Sequence, residues 1–489
     1  MIIWIALISV TLFLIAFWWL KITRVGADAL KTSRGAMAAM GDKSLDDDTR
    51  EKMIQSASIK LFGSFFSILI RSILTLTISF LPIWLADLTG IAKMEAVFGF
   101  LSRIDVIVII SIVMIGGYLI LMRAKPYQNE TFNVNYGKMD RLLHRVAFFS
   151  PSVQLTAADM EKAAFSKAFA DVKVERPIFI TSLPRAGTTL MLEVLYQFPS
   201  LAAHTYRDMP FVMAPILWSK LSGNFKKKAE LVERAHGDGM QVGYDSPEAF
   251  EEVLWYTFWP KKYTPTHIDL WNSGDMDENA RTFFGEHMQK IIALRRPELT
   301  HGGRYISKNN GNIARLDFID EMFPDASILV PLRHPIEHAA SLWRQHLNFL
   351  KMQENDAFIR RYMADIGHFD FGELHRPILF PLTEQLTRIQ DPLSLDYWIS
   401  YWIAAFSYVL ERREKVILIS YEATCKNGKA ALTELCKRLG IDQGGMLASA
   451  AAIFKEPSQK HQDRSGIDPK LLKWAEKLYS KLEVLTKAS

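Results

Sequence analysis

Three features of this 489-residue sequence predict an α/β fold, a parallel sheet flanked by helices, standing behind a membrane region. Short apolar or β-branched runs recur at residues 178–181, 304–307, 327–332 and 416–420, and turns and helical patterns follow the first, third and fourth. Strands alternating with helices imply a parallel sheet, and ligands then bind at the carboxyl ends of its strands. The second feature is the segment 176–195, RPIFITSLPRAGTTLMLEVL, a strand, tight turn and helix in direct succession. The third is a set of three apolar stretches before residue 123.

Those stretches, residues 1–20, 61–86 and 106–122, predict about three transmembrane helices. The first has no basic leader and no small-residue cleavage site before Lys21, so a cleaved signal peptide fits poorly. Arg71 interrupts the second, and a span starting just after it would leave that charge at an interface. Residues 21–60 hold eight Lys or Arg, whereas residues 87–105 hold only Lys93 and Arg103. The positive-inside rule then predicts a multi-pass integral membrane protein with everything after Met122 in the cytoplasm. Three regions are expected: membrane region 1–125, a helical connector 126–175, and an α/β domain 176–489. In the connector, Thr156 reads as a helix start, with the helix running to about Phe169.

Composition removes several classes of function. The net charge of +5 comes without a long basic run interleaved with aromatics, so nucleic acid is not an expected partner. Cys425 and Cys436 have no His or Cys neighbours at ligand spacing, so neither a metal site nor a disulfide framework is expected.

The turn Pro184-Arg185-Ala186-Gly187-Thr188-Thr189 aims backbone N–H groups and a helix N-terminus at one point, which makes an anion site. Gly187 permits close approach of a phosphate, Arg185 adds a fixed cation, and Thr188 and Thr189 add hydroxyl donors. It is not a Walker A loop, because the leading glycine is absent and the basic residue precedes Gly187. A second segment, SILVPLRHPIEHAASLWRQH at 327–346, ends a buried strand at Leu332 and puts Arg333 on its lip. Pro335 opens the next helix, and Ser341 lies two turns along it, so Arg333 and Ser341 are placed to take a second phosphate.

Together, P-R-x-G-T-T after one strand and R-x-P with a serine eight residues after the arginine resemble the sulfotransferase family, in its microbial branch and its tyrosylprotein and carbohydrate relatives. The likeness runs over roughly residues 176–480 and includes YISKN at 305–309, FPDA at 323–326 and VILISYE at 416–422. It implies the P-loop-like sulfotransferase fold and 3′-phosphoadenylyl sulfate (PAPS) as co-substrate, without a metal. Residues 184–189 would grip the 5′-phosphosulfate, and Arg333 with Ser341 the 3′-phosphate. Lys308 stands where the family has a lysine and would be the second cation and proton donor to the leaving group. Lys460 and Arg464 sit in a late basic loop of the kind that closes over the 3′-phosphate in family members.

The base is less well marked. The tyrosylprotein relatives carry a glutamate about twenty residues past the first loop, where this chain reads HTYRDMP at 204–210. Asp208 and His204 are the candidates there, with Asp208 slightly favoured, and Glu248 is a third. Ser246 reads as a helix cap with Pro247 opening the helix, which would make Glu248 an ordinary first-turn acid. Trp255, Tyr256, Phe258 and Trp259 read as core or as a wall of the acceptor cleft, and helical spacing favours core. The resulting expectation is a membrane-anchored sulfotransferase acting on a hydroxyl acceptor in or near the bilayer, such as a lipid or lipid-linked glycan. The alternatives are a non-catalytic membrane protein that keeps the nucleotide-binding fold, and a P-loop kinase-like phosphotransferase.

Overall fold

A computed structural model describes residues 1–25, 28–29, 32–33, 47–107, 109–111, 138–222, 232–233, 241–299, 301–387, 391–455 and 466–488. The chain divides into two compact units, Met1–Ala124 and Lys125–Ser489.

In the first unit, helices Ile2–Trp19 and Asp47–Leu88 pack together. Ser9 donates to the Ser79 carbonyl at 2.5 Å and Ser79 returns a bond to the Ser9 carbonyl at 3.1 Å. Ile5, Ala6, Ile83, Ala86 and Val97 form the small core beside them. Arg71 donates to the Leu20 carbonyl at the end of the first helix, where a cation suits the dipole. Two helical stretches, Ile2–Trp19 and Gln55–Leu88, are long and apolar enough to cross a membrane. The expected third span, 106–122, lies largely outside the described residues.

The second unit is built on a five-stranded sheet whose strands lie in the order 201–202, 304–308, 178–180, 327–332 and 417–420, every neighbouring pair parallel. The strands are β1 (Ile178–Ile180), β2 (Leu201–Ala202), β5 (Arg304–Lys308), β6 (Ser327–Leu332) and β7 (Ile417–Ser420); β3 (Val232–Glu233) and β4 (Gln241–Val242) form a separate antiparallel pair. Successive side chains serve opposite faces. Ile178 and Ile180 pack with Leu192, Leu195, Leu329 and Cys436, whereas Phe179 packs with Tyr305, Ile328, Val330 and Phe318. Helices cover both faces, which is why these strands read as unbroken apolar runs. Each buried aliphatic residue contributes about 1.5–3 kcal/mol relative to exposure.

Some local readings change. The connector helix begins at Pro151, five residues before Thr156, because proline's fixed φ suits the first turn, and it ends at Phe165. Ser246 and Pro247 do not open a helix, which begins instead at Glu252. Ser246 accepts a bond from the Gly243 amide at 3.0 Å, and Pro247 pairs with Thr205 in an isolated bridge. Both residue types mark tight turns as readily as helix starts. Trp255 is fully buried and Trp259 nearly so, while Tyr256 and Phe258 pack partly buried against the same core.

Candidate functional site

The register fixes what stands at the sheet's carboxyl edge. Ile180 ends the central strand β1, with Lys308 opposite it on β5 and Leu329 opposite it on β6, and β6 continues to Leu332 beside Ser420 of β7. The loop 181–187, Lys308 and Arg333 therefore leave the same edge within neighbouring strands. Each strand step is about 4.8 Å.

The first loop turns sharply. Arg185 has φ +71° and Gly187 φ +95°, and Gly187 is the N-cap of helix Thr188–Tyr196, with no side chain to cap it. Left-handed backbone at a non-glycine residue costs roughly 1–3 kcal/mol and is retained where the surroundings enforce it. Alternating backbone hands of this kind point successive N–H groups into one concavity, beside the first orphan amides of the helix. A Cβ on Gly187 would come within 2.6 Å of the Tyr421 ring, so glycine is required by space as well as by φ.

Surrounding side chains hold the loop in place. His338, fully buried, meets the Pro184 carbonyl at 2.7 Å through Nε2, which makes Nε2 the protonated nitrogen. Burial, then the nearby Arg333, pushes the His338 pKa down to about 3, so it stays neutral. Ser182 donates to the Pro331 carbonyl at 2.9 Å. Asn310 accepts twice, from the Thr181 hydroxyl through its carbonyl and from Thr188 through its side chain, each at 3.2 Å.

The second motif meets the first. Arg333 donates to the Arg185 carbonyl at 2.9 Å, and Arg185 Nε lies 3.3 Å from Ser341 Oγ. Pro335 opens helix Pro335–Asn355, as its fixed φ suggests, and carries Ser341 into place. The Arg333 guanidinium stacks over Tyr421 at 5.1 Å, the same ring that limits Gly187. Glu422 accepts from the His334 amide at 2.9 Å, tying the end of β6 to β7. Arg185, Gly187, Arg333, Ser341 and Tyr421 thus form one cluster. Lys308 is half-buried at the tip of β5. Lys460 and Arg464 lie outside the described residues.

The three base candidates occupy different surroundings. His204 and Asp208 are buried together, with Nδ1 to Oδ2 at 2.8 Å, and His204 Nε2 lies 2.8 Å from Nε2 of His287. Asp208 also accepts from the Thr205 amide at 3.0 Å and pairs with Arg295. Burial alone would raise its pKa, but Arg295 and His204 outweigh that and hold the carboxyl well below the usual range. Both oxygens are committed inside the fold, in a capping box on a short 3₁₀ turn. Glu248 is half-buried; it accepts from the Tyr206 hydroxyl and from the Ala249 amide at 2.7 Å, and its own amide donates to the His204 carbonyl at 2.9 Å.

Tyr421, His338 and Asn310 were not singled out from the sequence. Tyr421 and His338 lie inside quoted segments, but only the fold shows their side chains against Gly187 and Pro184. Among the described residues, no group of three His, Cys, Asp or Glu side chains has metal-holding geometry.

Two cationic motifs thus stand together at one edge of an α/β sheet. Residues 177–375 match the family model described as "Sulfotransferase family". The chain is similar in structure to sulfotransferase STF9 from Mycobacterium avium, at 10% identity and TM-score 0.40, over 76% of this chain and 94% of that one. For sulfotransferase STF1 from Mycobacterium tuberculosis H37Rv the values are 11%, 0.37, 80% and 99%. For the sulfotransferase from Alicyclobacillus acidocaldarius they are 14%, 0.31, 64% and 96%. No curated protein matches the chain.

Proposed function

We propose that this chain is a membrane-anchored sulfotransferase that moves a sulfuryl group from PAPS to a hydroxyl of an acceptor held at a membrane. The observation that supports this most is the meeting of the two motifs, with Arg333 on the Arg185 carbonyl and Arg185 beside Ser341. Two cationic side chains on adjoining strand tips suit a ligand with two phosphates on one nucleoside. The tight space over Gly187 suits a phosphate that touches backbone.

When bound, PAPS would supply the sulfuryl group: its S–O bond to the 5′-phosphate breaks as a new S–O bond to the acceptor oxygen forms. The amides of residues 187–189 and Arg185 hold the oxygens where negative charge grows. Arg333 and Ser341 hold the 3′-phosphate, with Lys460 and Arg464 as further contacts. Arg185 keeps its proton at any working pH, so it positions and neutralises without donating. Lys308 is the second cation and the proton donor to the departing phosphate.

We take Glu248 as the base. It follows the Thr205–Pro247 bridge, beyond the end of β2, and keeps partial exposure. Asp208 and His204 serve instead to fix the 204–208 turn. Helices Ile2–Trp19 and Gln55–Leu88 would be the anchor, with the α/β domain on the cytoplasmic side and a lipid or lipid-linked glycan as acceptor.

The test is transfer of label from ³⁵S-PAPS into a membrane lipid extract. Wild type should label a component of the extract. Glu248→Gln should bind PAP normally and lose about 100-fold or more in turnover, the usual worth of a general base. Tight binding of ATP with Mg²⁺ but not PAP would contradict the assignment, and full activity in Glu248→Gln would return the base to Asp208 or His204.

A further inference from the structure

We infer that the outer face of the C-terminal helix Pro469–Ala488 docks on an anionic lipid surface; this deepens the membrane-anchoring part of the function proposed above and rests on it. The helix has two unlike sides. Leu471, Ala475, Leu478 and Leu482 are buried against the α/β core. On the other side Lys470, Lys473, Lys477 and Lys481 are exposed, with Trp474 42% exposed among them and Val484 63% exposed beyond. Lys470, Lys473, Lys477, Lys481 and Val484 are spaced three or four residues apart, with Trp474 next to Lys473, which on a helix makes a single stripe. The helix's two acids, Glu476 and Glu483, are half-buried off that stripe.

Charge and chemistry point to the occupant. A row of lysines around an exposed tryptophan matches the headgroup layer of an acidic leaflet, where ammonium groups meet phosphates and an indole sits at the polar–apolar boundary. Lysine stems can lie along the boundary while their heads reach out. A nucleic-acid surface would not call for Val484 on the stripe, and this chain also carries two helices long and apolar enough to cross a bilayer. The buried side of the same helix reaches the candidate site. Tyr479 packs on His334, the residue after Arg333, at 5.2 Å between rings. A leaflet held against this helix would therefore lie one helix away from the second phosphate motif.

The test uses the full chain in nanodiscs of phosphatidylcholine, with or without phosphatidylserine. A thiol dye is placed at Ser480→Cys, an exposed position; the native Cys425 and Cys436 are buried. Headgroup-spin-labelled lipid should quench the dye several-fold more in the anionic discs. High salt, or Lys473→Glu with Lys477→Glu and Lys481→Glu, should abolish the difference. The triple variant should still bind PAP like wild type, which shows an intact fold and nucleotide site. Equal quenching in both lipids, or no effect of the triple variant, overturns the inference, as does protection of the dye by duplex DNA in lipid-free detergent. Failure of the chain to stay with the discs overturns the anchoring reading and this inference together. Retention with a dye blind to headgroup charge overturns this inference alone.

Discussion

Arg333 reaches the phosphate loop through two contacts, a bond to the Arg185 carbonyl and the face of Tyr421. Arg333→Ala should weaken PAP binding about 10- to 100-fold, the worth of a charge-assisted hydrogen bond, as read by calorimetry. His338→Phe keeps the bulk but removes the donor to Pro184, and the loop carbonyl is then unsatisfied. About a 5- to 10-fold loss of PAP affinity is expected, with little change in melting temperature if the loop relaxes. Gly187→Ala faces both φ +95° and the Tyr421 ring, so it should abolish PAP binding. Removing the ring in the Gly187→Ala, Tyr421→Ala double variant should restore only part of it, because the φ strain persists.

Between elements, a buried ion pair holds the edge of the sheet. Arg315 is fully buried and donates to both oxygens of Glu252, at 2.8 and 2.7 Å, between the rings of Trp255 and Trp271. Glu252 also accepts from Asn309 at 2.6 Å, and Asn310 next to it takes the two loop threonines. The pair therefore braces the turn that follows Lys308. Arg315→Met leaves the Glu252 carboxylate buried without its countercharge, which should cost about 3–5 kcal/mol in denaturant titration. Arg315→Met with Glu252→Gln should recover part of that loss, because no charge is then stranded.

This level is where the sequence was least legible. The strands at 178–180, 304–308, 327–332 and 417–420 announce themselves as apolar runs because both faces of the sheet are covered. Residues 201–202 are too short to show a period, so β2 escapes notice. The phosphate motifs are legible because their residues are consecutive or one helix apart. Glu251 and Glu252 carry no local sign of their burial, since their partners Asn312 and Arg315 are about sixty residues on. Asp208 reads as a base candidate for the same reason, Arg295 and His287 being more than eighty residues away from the 204–208 turn. Contacts that span such distances leave no local pattern.

For the whole molecule, two histidines, His338 fully buried and His375 half-buried, set the response to acid. His338 and His375 are both pushed down to about 3, chiefly by burial, with Arg333 and His346 respectively adding to it. In the unfolded chain they take up protons below the ordinary value of 6.5, while the folded chain does not. Unfolding thus binds protons in that window, and stability falls as pH drops from 6.5 toward 3, with no contribution above 6.5. Asp208 adds a loss of the same sign, but only below the ordinary carboxylate range. Melting temperature in detergent should be flat from pH 8 to 7 and decline steadily below about 6.5. A flat profile down to pH 4 would mean that these histidines are solvated.

The central claim is that two motifs clasp opposite ends of one nucleotide, and a calorimetric cycle tests it most directly. Wild type and Arg333→Ala are each titrated with 3′,5′-adenosine bisphosphate and with 5′-AMP, which lacks the 3′-phosphate. Arg333→Ala should weaken the bisphosphate strongly and leave 5′-AMP almost unchanged, so that the variant no longer distinguishes the two ligands. Equal weakening of both ligands would show that Arg333 does not hold the 3′-phosphate, and the account of the site would be wrong.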